Sequence, residues 1–352
     1  MVIAEGSTHN MKTDGSYTNN KENQDYLDRF NIPSEVKEAI NQSHEEIINN
    51  ASDTLQGNNE EIENFKKRVN NFWKKPLDLL DLLLIYSRQM GSKFNKEMRT
   101  PAEKESDHVF LALTRLHAKA CLVSHEIAIL MKHGYSSGAH ARWRSLHEIA
   151  ITALFIKEHG NEVVERYLDY RGIETYYAMT QYKKYAAKLH YEPLQEEEEE
   201  NAINLKNFLI KKYGESFEHL YGWASKELNK PRPKFTDIEK AVGSEHMRPY
   251  YKMASNAVHA EPNGTFFNIG LSKADEEKIL LAGPSDSGLA DPGSGTAVSL
   301  NLINTILITS RPTVENLIIL QATSMLVNEI NEAFLEAHKF IEEQTEGKAL
   351  PI

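Results

Sequence analysis

Residues 109–131 read VFLALTRLHAKACLVSHEIAILM, the most apolar long stretch of the chain, interrupted by Arg115, His117, Lys119, His125 and Glu126. A membrane span needs about 20 nearly uncharged residues. The stretch therefore reads as a helix buried inside a water-soluble protein, running from about 103 to 132 and stopped by His133-Gly134. Outward from it the same reading repeats. A second helix is expected over 136–159, closed by Gly160, and a third, rich in tyrosine, over 161–190. The acidic run Glu196–Glu200 reads as the solvated start of a helix reaching 213. A further helix is expected over 248–260, with Pro249 in its first turn. Two closing helices are expected over 296–309 and 313–343. Between them lies GPSDSGLADPGSG, residues 283–295, which reads as one long Gly/Pro-rich loop.

Upstream, Ser34 is placed to cap a helix with Val36, Ile40, Ile47 and Ile48 on one stripe. Gly57-Asn58-Asn59 reads as a break. Ile62, Phe65, Val69, Phe72 and Trp73 resume the pattern, Pro76 starts the segment LDLLDLLLIY, and GSKFNKEMRTP (91–101) reads as a linker. No series of alternating strands is found. The expectation is an all-α multi-helix bundle over 101–352, preceded by an N-terminal helical region over 26–100 and a disordered leader over 1–25.

The chain has 352 residues, 40 % apolar and 26 % charged, with a net charge of −11. That balance suits a globular core and argues against a broad DNA-coating footprint. It leaves room for a local basic groove. Cys121 is the single cysteine; it fits a reducing compartment, either as a structural thiol or as a nucleophile. The first 25 residues lack a basic segment followed by an apolar one. A cytoplasmic protein with no membrane association is expected.

Two helices concentrate polar residues. On the helix over 136–159, Ala139, Trp143, Leu146, Ile149, Ala150 and Ala153 share one stripe, while Ile151 and Phe155 lie opposite. Such a helix should be central. Arg144 and Glu148 stand at pairing distance, i and i+4, and Arg142 projects near the first stripe. Buried charges must be paired, so these residues are a structural ion network or a site. On the later helix, Arg248, Lys252, Ser255 and His259 fall within about 60° of one another. They are either a solvent-facing stripe with a histidine favoured by the helix dipole, or a site in which the histidine moves protons. His-Glu occurs at 125 and 147, but Ile129 and Ile151 stand where a zinc-protease motif needs its second histidine. No phosphate-binding loop, nucleophile elbow or clustered metal spacing is found.

Arg144-Ser-Leu-x-Glu148, combined with Ser255-x-x-Val258-His259, resembles an uncharacterised bacterial all-helical family of unknown function over about residues 105–310. The resemblance implies that Arg144, Glu148, Ser255 and His259 form one matched set. Such bundles are in turn similar to the HEPN superfamily of helical RNA-cleaving proteins, common in toxin and antiphage systems. Its hallmark is an arginine followed after four to six residues by histidine, often with asparagine beside the arginine. Arg142-x4-His147 has that spacing, with Trp143 as the neighbour and about 140° between the two side chains. Ser255-Asn256-x-x-His259 has the tail of the motif, for which Arg248 would have to supply the arginine.

Two functions are thus expected to compete. One is a metal-independent endoribonuclease of bacterial defence or stress, using no cofactor. In it His259 is the acid and base, Arg144 or Arg248 holds the scissile phosphate, and Glu148 and Ser255 orient them. Arg142, Lys252 and Asn256 add substrate contacts, and the partners are RNA and a protein such as an antitoxin. The other is a non-catalytic interaction protein whose Arg-Glu-His network fixes helix register. Either could act as a homo-oligomer.

Overall fold

A computed structural model describes residues 33–260, 262–266, 268–271 and 280–346. The expected leader, residues 1–25, lies outside them. The chain divides into two compact units, the first ending at Asn64 and the second beginning at Phe65.

In the first unit, α1 (Ser34–Asn49) buries none of its residues, and its apolar stripe of Val36, Ile40, Ile47 and Ile48 is exposed. Ser34 is not the cap: Pro33 occupies that position and no side chain closes the helix start. The next helix, α2 (Ala51–Lys104), starts here and runs on into the second unit. It passes through Gly57, Pro76 and residues 91–101, so the expected break and linker are both helical. For the linker the reason is packing. Met90 and Phe94 are buried, and Phe94 sits 6.0 Å from the ring of Phe110. That contact outweighs the weak local preferences of Gly91, Ser92 and Asn95.

The second unit is all-helical among the described residues. A turn with Ser106 at φ 54° separates α2 from α3 (His108–Lys132), whose start is capped by Asp107 accepting from Phe110 N at 2.9 Å. Then comes α4 (Ser136–His159), ended by Gly160 at φ 74°. The apolar stripe of α4 is buried, and so are Ile151 and Phe155 behind it, which makes α4 central as expected. The tyrosine-rich stretch is two helices, α5 (Asn161–Asp169) and α6 (Arg171–Tyr185). The acidic run opens α7 (Glu196–Tyr213), where four glutamates in the first turn face the positive end of the helix dipole. Short helices α8 (Phe235–Ala241), α9 (Arg248–Asn256) and α10 (Pro262–Phe266) follow.

The chain closes with α11 (Ala290–Ile308) and α12 (Val314–Glu346). The core is built where α3, α4 and α11 pack on one another and α12 packs on α11. Trp73 from α2 reaches Phe334 of α12 at 5.9 Å. The expected loop over 283–295 is shorter than its glycines suggest, because Ala290–Gly295 belong to α11. Two of those glycines serve close approach rather than turning. A Cβ at Gly293 would lie 2.2 Å from the Phe334 ring, and one at Gly295 would lie 2.7 Å from Trp143 Nε1. The preceding loop is tied down: Trp73 Nε1 donates to Asp286 O at 2.7 Å and Ser285 N donates to Gly134 O at 2.9 Å. No helix among the described residues is long and apolar enough to cross a membrane.

Candidate functional site

The polar face of α4 meets α9. Arg144 Nε donates to Glu148 Oε1 at 3.2 Å, the i,i+4 pair expected from spacing, and Arg144 Nη1 donates to Ser255 Oγ at 3.2 Å. Ser255 Oγ in turn donates to Tyr251 O at 2.8 Å, one turn back along α9. The Tyr251 hydroxyl donates to Glu148 Oε1, which closes the circuit. The Arg144 guanidinium carbon stands 4.6 Å from the centre of the Tyr251 ring and that of Arg248 stands 4.7 Å from it. One tyrosine ring is thus in cation–π contact with two arginines.

Arg248 leads into a deeper layer. Its Nη1 donates to Glu239 Oε2 at 2.6 Å, and the other carboxylate oxygen of Glu239 meets His147 Nε2 at 3.0 Å. Glu239 is 1 % exposed. It is held there by α8, whose start is closed by Lys234 N donating to Asp237 Oδ2 at 2.7 Å and whose Phe235 and Ile238 are buried. Burial lowers the pKa of His147, with the bond to Glu239 opposing. Its ring stacks on Trp143 at 5.4 Å and meets Phe235 edge-on at 6.0 Å.

Tyr221 stands behind the cluster, its ring 6.2 Å from that of Phe235. It occupies the left-handed region (φ 58°, ψ 19°) just before the turn at Gly222, a conformation that costs a bulky residue about 1–2 kcal/mol. Burial, followed by the negative charge of Glu148, raises the pKa of its phenol; Arg144, Glu239 and Arg248 also act on it. The Tyr251 phenol is raised further, by burial and by its hydrogen bond to Glu148.

The residues expected to act together separate into three places. Arg144, Glu148 and Ser255 converge within hydrogen-bond reach, and Arg248 joins them through Tyr251. His259 lies just beyond α9, where its N donates to Ser255 O at 3.3 Å and so extends the helical winding by one turn. Its imidazole is exposed and makes no hydrogen bond among the described residues. Lys252 is exposed on α9 and Asn256 ends that helix half-buried. Arg142 is elsewhere: it pairs with Glu126 of α3 and donates to Ser145 Oγ at 3.4 Å. Arg142 and His147 therefore face different neighbours, in keeping with their wide angular separation.

Tyr251, Glu239 and Tyr221 were not singled out from the sequence, and His147 was named only for its spacing from Arg142 and its His-Glu pair. For Tyr251 a signal existed, since Arg248, Tyr251 and Ser255 are spaced three and four apart on one helical face. Glu239 and Tyr221 come from other elements and only the tertiary fold delivers them. Among the described residues no group of three or more His, Cys, Asp or Glu could hold a metal ion.

No curated protein and no solved structure matches the chain. Residues 110–278, just under half of the chain, match a family of unknown function, DUF5677, and Arg144, Glu148, Ser255 and His259 all fall inside the matched segment.

Proposed function

We propose that the Arg144–Tyr251–Arg248 face grips the phosphate backbone of single-stranded RNA and that the chain is a HEPN-like, metal-independent ribonuclease. The observation that supports this reading is a pair of half-open arginines with unspent donors. A guanidinium has five N–H groups. Arg144 spends one on Glu148 and one on Ser255, and Arg248 spends one on Glu239. Their side chains are 26 % and 31 % exposed. The remaining N–H groups can meet phosphate oxygens, and Tyr251 between them fixes both planes.

His259, one helical turn past Ser255 and exposed, is the acid–base group in this reading. It takes the proton from the ribose 2′-hydroxyl as the 2′-oxygen bonds to phosphorus. The bond to the 5′-oxygen breaks, and a proton passes to that leaving oxygen. A 2′-deoxy strand has no such nucleophile and stays whole. The test is incubation of the purified chain with a labelled RNA oligonucleotide in excess chelator. Cleavage is expected, and it is lost in His259→Ala and Arg144→Met. Intact RNA, or an unchanged rate in His259→Ala, overturns the proposal.

One observation favours the non-catalytic reading. The two arginines meet two carboxylates, Glu148 and Glu239, so the cluster is neutral as it stands. A network that only fixes the register of α4 against α9 needs nothing more. Under that reading RNA is neither bound nor cut, and Arg144→Met changes stability alone.

A further inference from the structure

A second concavity lies away from the Arg144 face, where α2 and α3 diverge over Leu307 of α11; its volume is about 400 Å³. That is within the range of small-molecule sites. The opening arises from small residues at facing positions, Gly91 on α2 and Ala118 on α3. Gly91 is required there, because a Cβ would stand 2.3 Å from the ring of His117.

Leu84, Leu122 and Leu307 give apolar walls, and polar side chains, Arg88, Asn95, His117 and His125 among them, also line the groove. Asn95 Oδ1 is a buried acceptor with no hydrogen-bond partner among the described residues. His117 is buried and locked: its Nε2 meets Asn304 Oδ1 at 2.9 Å, and Asn304 Nδ2 donates to Ser87 Oγ at 2.8 Å. The proton therefore sits on Nε2, and Nδ1 presents a lone pair toward the Cys121 thiol at 3.8 Å. Burial pushes the Cys121 thiol up to about 11, with Arg88 opposing, so sulfur is a protonated wall and not an anion. Arg88 is exposed and forms no ion pair among the described residues.

We propose that this groove binds a small amphipathic anion, with its acid group on Arg88, its apolar body between Leu84 and Leu122, and an N–H or O–H donor on Asn95 Oδ1. An unpaired buried acceptor is costly to leave unmet, and an exposed guanidinium without an ion pair at the edge of an apolar groove can take a carboxylate or sulfonate. The two together specify a ligand with a donor and a negative charge on one apolar frame. The proposal does not rest on the ribonuclease reading, since it shares no residue with that face.

The probe for the test is 1-anilinonaphthalene-8-sulfonate, which carries a sulfonate, an aromatic body and one N–H. Cys121 is the single cysteine of the chain, so alkylation by iodoacetamide, read on the Cys121 peptide by mass spectrometry, reports on the groove. Expected is saturable binding that slows alkylation of Cys121. Arg88→Gln, and Leu122→Glu at a position 60 % exposed, should each weaken it by about tenfold, while Arg144→Met leaves it unchanged. Leu122→Glu alters an exposed side chain and so tests the charge requirement in a folded chain. Fluorescence without protection of Cys121 places the probe elsewhere and overturns the proposal. So does probe binding that is unchanged in both groove variants.

Discussion

Replacing Arg248 with methionine removes the guanidinium bonded to Glu239, a carboxylate that is 1 % exposed and that also meets His147, whose pKa burial lowers. Breaking a buried ion pair by deleting one partner costs about 3–5 kcal/mol, because the surviving charge is left without compensation. Arg248 is itself 31 % exposed, so water reaches its end of the pair and the lower figure of about 2 kcal/mol is expected. For a chain of 352 residues that is a fall in melting temperature of about 3 °C. The assay is guanidinium denaturation followed by circular dichroism, with a second variant that adds Glu239→Gln to Arg248→Met. The amide removes the stranded charge and can still accept from His147, so the double variant should recover most of the loss. A single variant as stable as the parent, or a double variant no better than the single one, would refute the claim that Glu239 is a buried charge held by Arg248.

Three more outcomes follow from the same geometry. Burial lowers the pKa of His140 to about 4, while in the unfolded chain it titrates near 6.5. The unfolded state therefore takes up the proton first as pH falls. Stability should be full above pH 6.5 and drop by about 3 kcal/mol toward pH 4, an effect that His140→Gln removes from a pH series of denaturation curves. Gly293→Ala should destabilise by about 2 kcal/mol although alanine is the better helix former, because its Cβ would meet the fully buried Phe334 at 2.2 Å. Gly57→Ala, with nothing within 4 Å, should instead stabilise its helix by about 1 kcal/mol, and comparing the two in thermal unfolding separates packing from propensity.

The helices of the main bundle were legible because their periodicity and stops are local. Val109–Met131 with Gly134 beyond it, and the apolar-all-round pattern of α4, contain what is needed to read a buried helix. Two of the three misread positions share a cause. Gly57, residues 91–101 and Ala290–Gly295 carry the composition of turns, yet each is helical, and for the last two the partner is an aromatic ring far away in sequence: Phe110, Phe334 or Trp143. Sequence spacing sees a glycine as freedom, whereas packing uses it as clearance. In the candidate site the i,i+4 pair Arg144–Glu148 was readable from α4 alone; of the set that the motif resemblance implied, Ser255 meets that pair, while the His259 side chain makes no hydrogen bond to it among the described residues. Glu239 and Tyr221 were not, because each reaches the cluster from an element that sets no spacing relation to α4 or α9.

The central claim is that Arg144 and Arg248 offer their free N–H groups to phosphate. Its most direct measurement is a salt titration of binding to a fluorescein-labelled 12-nucleotide RNA, parent against Arg144→Met, both in their folded state. Each phosphate contact on a single strand contributes about 0.7 to the slope of log affinity against log salt. The account predicts measurable binding by the parent and a slope shallower by about 0.7 in Arg144→Met. Superimposable curves for the two proteins, or no binding by either, would contradict it.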